Sequence, residues 1–132
     1  MPVRRHIVLF ALASCLPGVF AAQQADLEKA RDAHDRPALE AIAARCARQA
    51  AERPRDSRAQ YALALAQSML AQVALETGDK NLAREAAEAG IPAAREAVSI
   101  EPGKAEHHRI LGALCAQVIP ANVLAGLKYG RC

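Results

Sequence analysis

Four histidines, four cysteines and two methionines are the side chains from which this 132-residue chain could build a reactive or metal-binding centre; it has no tryptophan. His107 and His108 are adjacent, and neighbours on a helix point about 100° apart. They do not offer two nitrogens to one metal from the same face, so half-buried or solvated imidazoles are expected. The sequence contains neither HExxH nor a histidine pair four residues apart, the spacings that place two imidazoles together. Met69 lies among alanines and leucines, where a thioether fills core space rather than ligating haem. Glu101 and Glu106 flank a turn and read as capping or solvated carboxylates, not as an acid–base pair. No GxSxG, Ser–His–Asp order or phosphate-cradling glycine loop is present. Without CxxC or CxxCH, neither a redox dithiol nor covalent haem attachment is indicated. The expectation is a non-catalytic protein with no cofactor and no metal.

The elements that would position these residues read as helices. Apolar residues make up 52% of the chain but aromatics only 3%, because alanine carries much of the apolar count. Alanine is the best helix former and lets helices approach closely, but each one buries little area. No alternating β-branched run marks a strand. A short helix is expected from about Ala25 to Ala33. Asp35-Arg36-Pro37 restarts the chain, and Leu39, Ile42, Ala43, Cys46 and Ala50 follow at helical spacing before Pro54. Asp56 or Ser57 can cap the next helix, whose stripe is Ala59, Ala62, Leu63, Ala66, Leu70, Val73 and Ala74, with a second apolar line at Tyr61, Leu65 and Met69. A helix apolar on two sides is expected to have neighbours on both. Gly78 fits a helix C-terminus. From Lys80 to Ile100, Leu82, Ala86, Ala89, Ala93, Ala97 and Ile100 are expected inward, with a kink or local break near 88–92 because Pro92 removes a backbone bond. In the helix from Ala105 to Val118 the inward set is His108, Leu111, Leu114, Cys115 and Val118, and Val123 to Cys132 reads as the opening of one more helix.

The N-terminus reads as a leader. Arg4 and Arg5 precede a mostly apolar run, Ile7 to Leu16, and Val19-Phe20-Ala21 offers small residues where a signal peptidase reads. Cleavage is expected near Ala21 or Ala22, dividing the chain into a signal peptide, 1–22, and a helical domain, 23–132. The run is shorter than the ~20 residues that a spanning helix needs. Leu12-Ala13-Ser14-Cys15 resembles a lipoprotein box and would give the alternative of a lipid anchor at Cys15. Loss of Arg4 and Arg5 leaves 15 basic against 14 acidic residues, a net charge of +1, with no nucleic-acid footprint. Cys46, Cys115 and Cys132 remain; Cys46 and Cys115 lie on apolar faces and read as small hydrophobes.

One phrase occurs twice. Pro102 follows Pro54 by 48 residues, and Leu111 follows Leu63 by 48, so a proline stop and the next helix's apolar centre repeat together. Ala97-Val98-Ser99-Ile100-Glu101-Pro102, the following Ile110-Leu111-Gly112, and Gly78-Asp79 resemble the tetratricopeptide repeat, and Ile119-Pro120-Ala121-Asn122 through Leu127-Lys128-Tyr129-Gly130 resembles a segment of exported bacterial repeat proteins of this kind. The resemblance covers about Ala38 to Cys132, with the last repeat incomplete. That family's period is about 34; the excess of about 14 splits evenly between the two helices of the hairpin, adding close to two turns to each. The bulky aromatic usual early in the first helix is replaced by Gln60 in one unit and His108 in the other.

The resemblance implies an all-α fold of antiparallel hairpins stacked as a short α-solenoid. It further implies a protein- or peptide-binding scaffold in the periplasm or cell envelope. The groove carried over from the family comprises Arg58, Tyr61, Leu65, Ser68 and Met69 from one helix, and Glu106, Arg109, Ala113, Ala116 and Gln117 from the next. The family's lysine/asparagine clamp for a C-terminal carboxylate has no counterpart. The alternative is a structural helical protein that self-associates through its open C-terminal end. N-terminal sequencing of the chain after export is expected to read from Ala22 or Gln23; an intact Met1 would refute the leader.

Overall fold

The computed structural model describes residues 17–121, 124–130 and 132; most of the expected leader, including Cys15, lies outside them. Six α-helices pack against one another: α1 (Pro17–Asp32), α2 (Arg36–Glu52), α3 (Ser57–Glu76), α4 (Lys80–Ile100), α5 (Ala105–Val118) and α6 (Ala125–Tyr129). A 3-10 turn, Ile119–Ala121, joins α5 to the tail. The described residues contain no strand.

Two kinds of turn alternate. Between α1 and α2, and again between α3 and α4, one residue adopts a left-handed conformation and an aspartate follows. His34 has φ 50° and Gly78 φ 82°. The amide of Asp35 donates to the carbonyl of Ala30, and that of Asp79 to Ala74, both at 2.8 Å. Each aspartate then caps the next helix, accepting from Ala38 and from Leu82 at 3.0 Å. One short sequence thus closes a helix and starts the next. Glycine takes this conformation without steric cost; His34 takes it with its ring nitrogen 2.9 Å from Glu76 Oε2. The other kind of turn contains Pro54 or Pro102. There the Asp56 amide bonds back to Arg53, and that of Lys104 to Glu101. Asp56 also caps α3 through the amides of Arg58 and Ala59.

Consecutive helices run antiparallel. At one end of the α3–α4 pair Ser57 donates to Glu101, in the middle Gly90 lies against Gln67, and Gly78 closes the other end. In the α4–α5 pair His107 bonds to the carbonyl of Ala97 at 2.9 Å, and Leu114 reaches Gly90. α3 is the hub and packs on α1, α2, α4 and α5. Buried residues occur around its whole circumference, Ala59, Ala62, Ala64, Leu65, Ala66, Met69, Leu70, Ala71, Val73 and Ala74 among them.

Several expectations are corrected. α1 spans Pro17–Asp32, so helix is already present well ahead of the expected start near Ala25. Pro92 does not interrupt α4: it is exposed, while Gly90, Ile91, Ala93 and Ala94 on either side are buried and hold the backbone in place. The inward face of α4 is rotated from the expected stripe. It uses Ala83, Ala86, Ala87, Gly90, Ile91, Ala93, Ala94 and Ala97, leaving Ala89 exposed and Leu82 and Ile100 half-buried. In α5 the buried histidine is His107, not His108, and Ile110 is buried where Leu111 is only partly so. Cys46 is buried on the apolar face of α2, as expected, and it is free. Cys115 is not a lone hydrophobe, for it forms a disulfide with Cys132. Of the expected last helix, Val123 and Arg131 lie outside the described residues and Ala125–Tyr129 form a short α6, with Tyr129 buried and its hydroxyl 3.4 Å from Glu88.

Gly90 is where α4 passes closest to its neighbours. A Cβ there would lie 2.8 Å from Leu114 Cδ2 and 2.9 Å from Gln67 Cβ. Gly90→Ala gains about 1 kcal/mol of helix propensity but incurs an overpacking cost of about 1–3 kcal/mol, so denaturant unfolding should show a net loss of up to about 2 kcal/mol. Gly112→Ala in α5, with nothing within 4 Å, should instead gain up to about 1 kcal/mol.

Candidate binding groove

α1, α3 and α5 lie side by side. The Phe20 and Tyr61 ring centroids are 6.3 Å apart, and those of Tyr61 and His107 5.4 Å. The Tyr61 hydroxyl is 3.5 Å from Glu106 Oε2, and Arg109 Nε donates to the same oxygen at 2.8 Å. Further along, Ser68 Oγ donates to Gln117 Oε1 at 3.1 Å, and Gln117 Nε2 returns to the Ser68 carbonyl at 3.0 Å. These α3–α5 pairs are 45 and 49 residues apart in sequence. Both separations stay close to the repeat offset of 48, so the two helices run parallel and nearly in register.

Two hollows lie along this face. One of about 430 Å³ sits between α1, α3 and α5, with Gln24, Glu28, Arg31, Tyr61, Gln72 and Arg109 on its walls. The other, of about 480 Å³, is walled by Phe20, Arg58, Tyr61, Lys104, Glu106 and His107. The ten residues expected here are divided by the structure. Arg58, Tyr61, Glu106 and Arg109 line the hollows with polar or exposed atoms. Leu65, Ser68 and Met69 also border the first, but they are buried and belong chiefly to the packing of α3. Gln117 is half-buried and engaged with Ser68, and Ala113 and Ala116 border neither hollow. The α1 side chains Gln24, Glu28 and Arg31 were not expected at this face. The signal that could have found them is the α1–α2 turn, which matches Gly78-Asp79 in bonding but begins with a histidine.

The charges here hold one another. Burial, and then the Glu106 carboxylate, push the Tyr61 phenol above its ordinary value, with Arg109 opposing. Tyr61 is therefore a neutral hydroxyl in the working range. The hydrogen bond from Arg109 to Glu106 raises the guanidinium above its own ordinary value. Below the groove, polar side chains close the proline turns. Gln60 Nε2 donates to the carbonyls of Ala50 and Pro54 at 3.3 and 3.2 Å. In the next unit two histidines divide this role between them, His107 bonding to the Ala97 carbonyl and His108 to that of Pro102 at 2.7 Å. Gln60 and His107 thus satisfy carbonyls in the last turns of α2 and α4, and Gln60 and His108 those of the prolines that follow.

Among the described residues no three His, Cys, Asp or Glu side chains gather in a metal-holding arrangement. None of their helices is long and apolar enough to cross a membrane. No family model, no curated protein and no solved structure matches this chain.

Glu101 anchors the α4–α5 turn. Hydrogen bonds from Ser57 and then Lys104 hold its carboxyl below the ordinary value. The stability it contributes is therefore complete above that ordinary value and is lost as pH falls through the depressed one. Thermal unfolding followed from about pH 5 downward should fall less steeply in Glu101→Gln than in the parent chain. An unchanged slope would remove Glu101 from the acid response.

Proposed function

We propose that this chain is an exported, tetratricopeptide-like scaffold that binds a protein or peptide along the α1–α3–α5 face, without catalysis. The observation that carries the reading is the parallel, in-register placement of α3 and α5. It repeats hydrogen-bonded positions at nearly the same offset as the proline turns and leaves two adjoining hollows on one face. A peptide laid there meets an aromatic hydroxyl at Tyr61, a guanidinium at Arg109 and an exposed cation at Arg58. Tyrosine and arginine are the residue types that most often dominate peptide and protein recognition. The near-neutral charge of the processed chain also favours such a partner over nucleic acid.

A second reading is favoured by one feature. Leu124 is 73% and Leu127 86% exposed at the C-terminal end of the stack, an apolar edge suited to self-association between copies. The two readings place the interaction at different ends of the molecule. Peptides of roughly a dozen residues selected from a random library on the exported chain should lose about tenfold or more in affinity on Arg109→Ala or Tyr61→Ala, equivalent to about 1.4 kcal/mol. Leu127→Glu should leave that affinity unchanged. Equal affinity in all three variants would refute the groove. Concentration-dependent mass in light scattering, abolished by Leu127→Glu alone, would favour self-association.

A further inference from the structure

Phe20 stands where three cavities meet. It borders the hollow of about 480 Å³ with Tyr61, Arg58 and His107. It also borders a narrow space of about 50 Å³ toward Ala59 and Ala62, and a void of about 10 Å³ toward Leu27, Leu65 and Cys46. Its ring is partly buried against the core and tilted 43° to that of Tyr61, a favourable arrangement for an aromatic pair. Yet Phe20 precedes Ala21 and Ala22, where the leader is expected to be cut. Phe20 is the one residue that lines all three spaces, while Gln23 and Gln24 each line two, and it is one that export would remove.

We infer that leader removal joins the three spaces into one pocket beside Tyr61, and that this pocket accepts an aromatic side chain of a bound peptide in the place that Phe20 occupies in the uncut chain. The inference rests on the export reading and deepens the proposed groove by naming the side-chain class it takes. The occupant is identified by what sits there: a phenyl ring against a phenol, with alanine Cβ atoms and Leu65 on the apolar sides. A partner's ring would recover the contacts that cleavage removes. The cationic groups of Arg58 and Lys104 at the rim leave the peptide's backbone carbonyls with donors. Uncut, the chain covers the site with its own Phe20.

Cys46 provides a reporter. It is buried, free and at the inner end of the smallest void, and burial raises its thiol above the ordinary value, so it should react slowly while Phe20 is in place. In the full chain carrying Cys15→Ser, under non-reducing conditions, Cys46 is the thiol outside the disulfide. Phe20→Ala should speed its modification by an aromatic disulfide reagent about tenfold or more, and Phe20→Leu, which keeps the bulk, should not. A peptide copying residues 17–22, Pro-Gly-Val-Phe-Ala-Ala, should slow the Phe20→Ala reaction again, and the same peptide with alanine for phenylalanine should not. Circular dichroism melts establish that the variants are folded, and the exported chain gives a measurement that needs no substitution, since its Cys46 should react at the Phe20→Ala rate. Equal rates with and without Phe20, or equal protection by both peptides, would overturn the pocket. An exported chain that still carries Phe20 on N-terminal sequencing would overturn the export reading and the unmasking with it, whatever the Phe20→Ala chain does, so the two failures are told apart.

Discussion

Between Arg58 and Glu76 α3 carries no charged residue, because four other helices pack on it and leave only a narrow strip, at Tyr61 and Gln72, in reach of solvent. A charge buried without a partner costs several kcal/mol. Such a helix must be built from small apolar residues and from polar ones that find partners inside. Alanine supplies most of the positions, which lets α1, α2, α4 and α5 come close. The polar exceptions are engaged: Gln60 with the α2 terminus, Ser68 with Gln117, Ser57 with Glu101. No buried side-chain polar atom among the described residues lacks a hydrogen-bond partner. Everything else in the arrangement follows from keeping α3 enclosed.

Close approach has a consequence for packing precision. With few large side chains, the interfaces cannot adjust by moving flexible groups, so the backbone itself sets the spacing. Gly90 is the clearest instance, lying where α4 meets both α3 and α5 with no room for a methyl group. Its neighbour Pro92 is tolerated because it faces solvent, and the buried residues on both sides maintain the helix. The ion pairs have a different place. His34 with Glu76, and Arg36 with both Glu40 and Asp79, gather at the turn end of the first two hairpins. They are largely exposed, so each contributes little while helping to set the register of one hairpin on the next.

The groove is a by-product of the same geometry. Parallel helices α1, α3 and α5 leave furrows between them, and in these the side chains of α3 give way from alanine to Tyr61 and Arg58 near its N-terminus. The aromatic ladder of Phe20, Tyr61 and His107 crosses all three helices. It links the buried His107 to the groove face, and His107 rather than His108 turns inward with Nδ1 2.9 Å from the Ala97 carbonyl.

Helix identity, the turns at Gly78, Pro54 and Pro102, the restart at Asp35-Arg36-Pro37, the cap at Asp56, and the buried faces of α2 and most of α3 were legible in the residues, because they depend on neighbours within a few positions along the chain. The two apolar lines of α3 marked it as an inner helix for the same reason. What the chain alone left open required knowing which helices touch. The rotation of α4, the choice between adjacent histidines and the fate of Leu65 and Met69 all turn on a second surface arriving from elsewhere. An alanine-rich helix has a weakly defined apolar face, so small rotations change burial with little local signal. Pairing of Cys115 with Cys132 likewise depended on the tail folding back, a distance that no spacing rule contains. The α1 side chains became part of the groove only once α1 lay beside α3, since parallel neighbours are joined through an intervening helix and share no local contact in sequence.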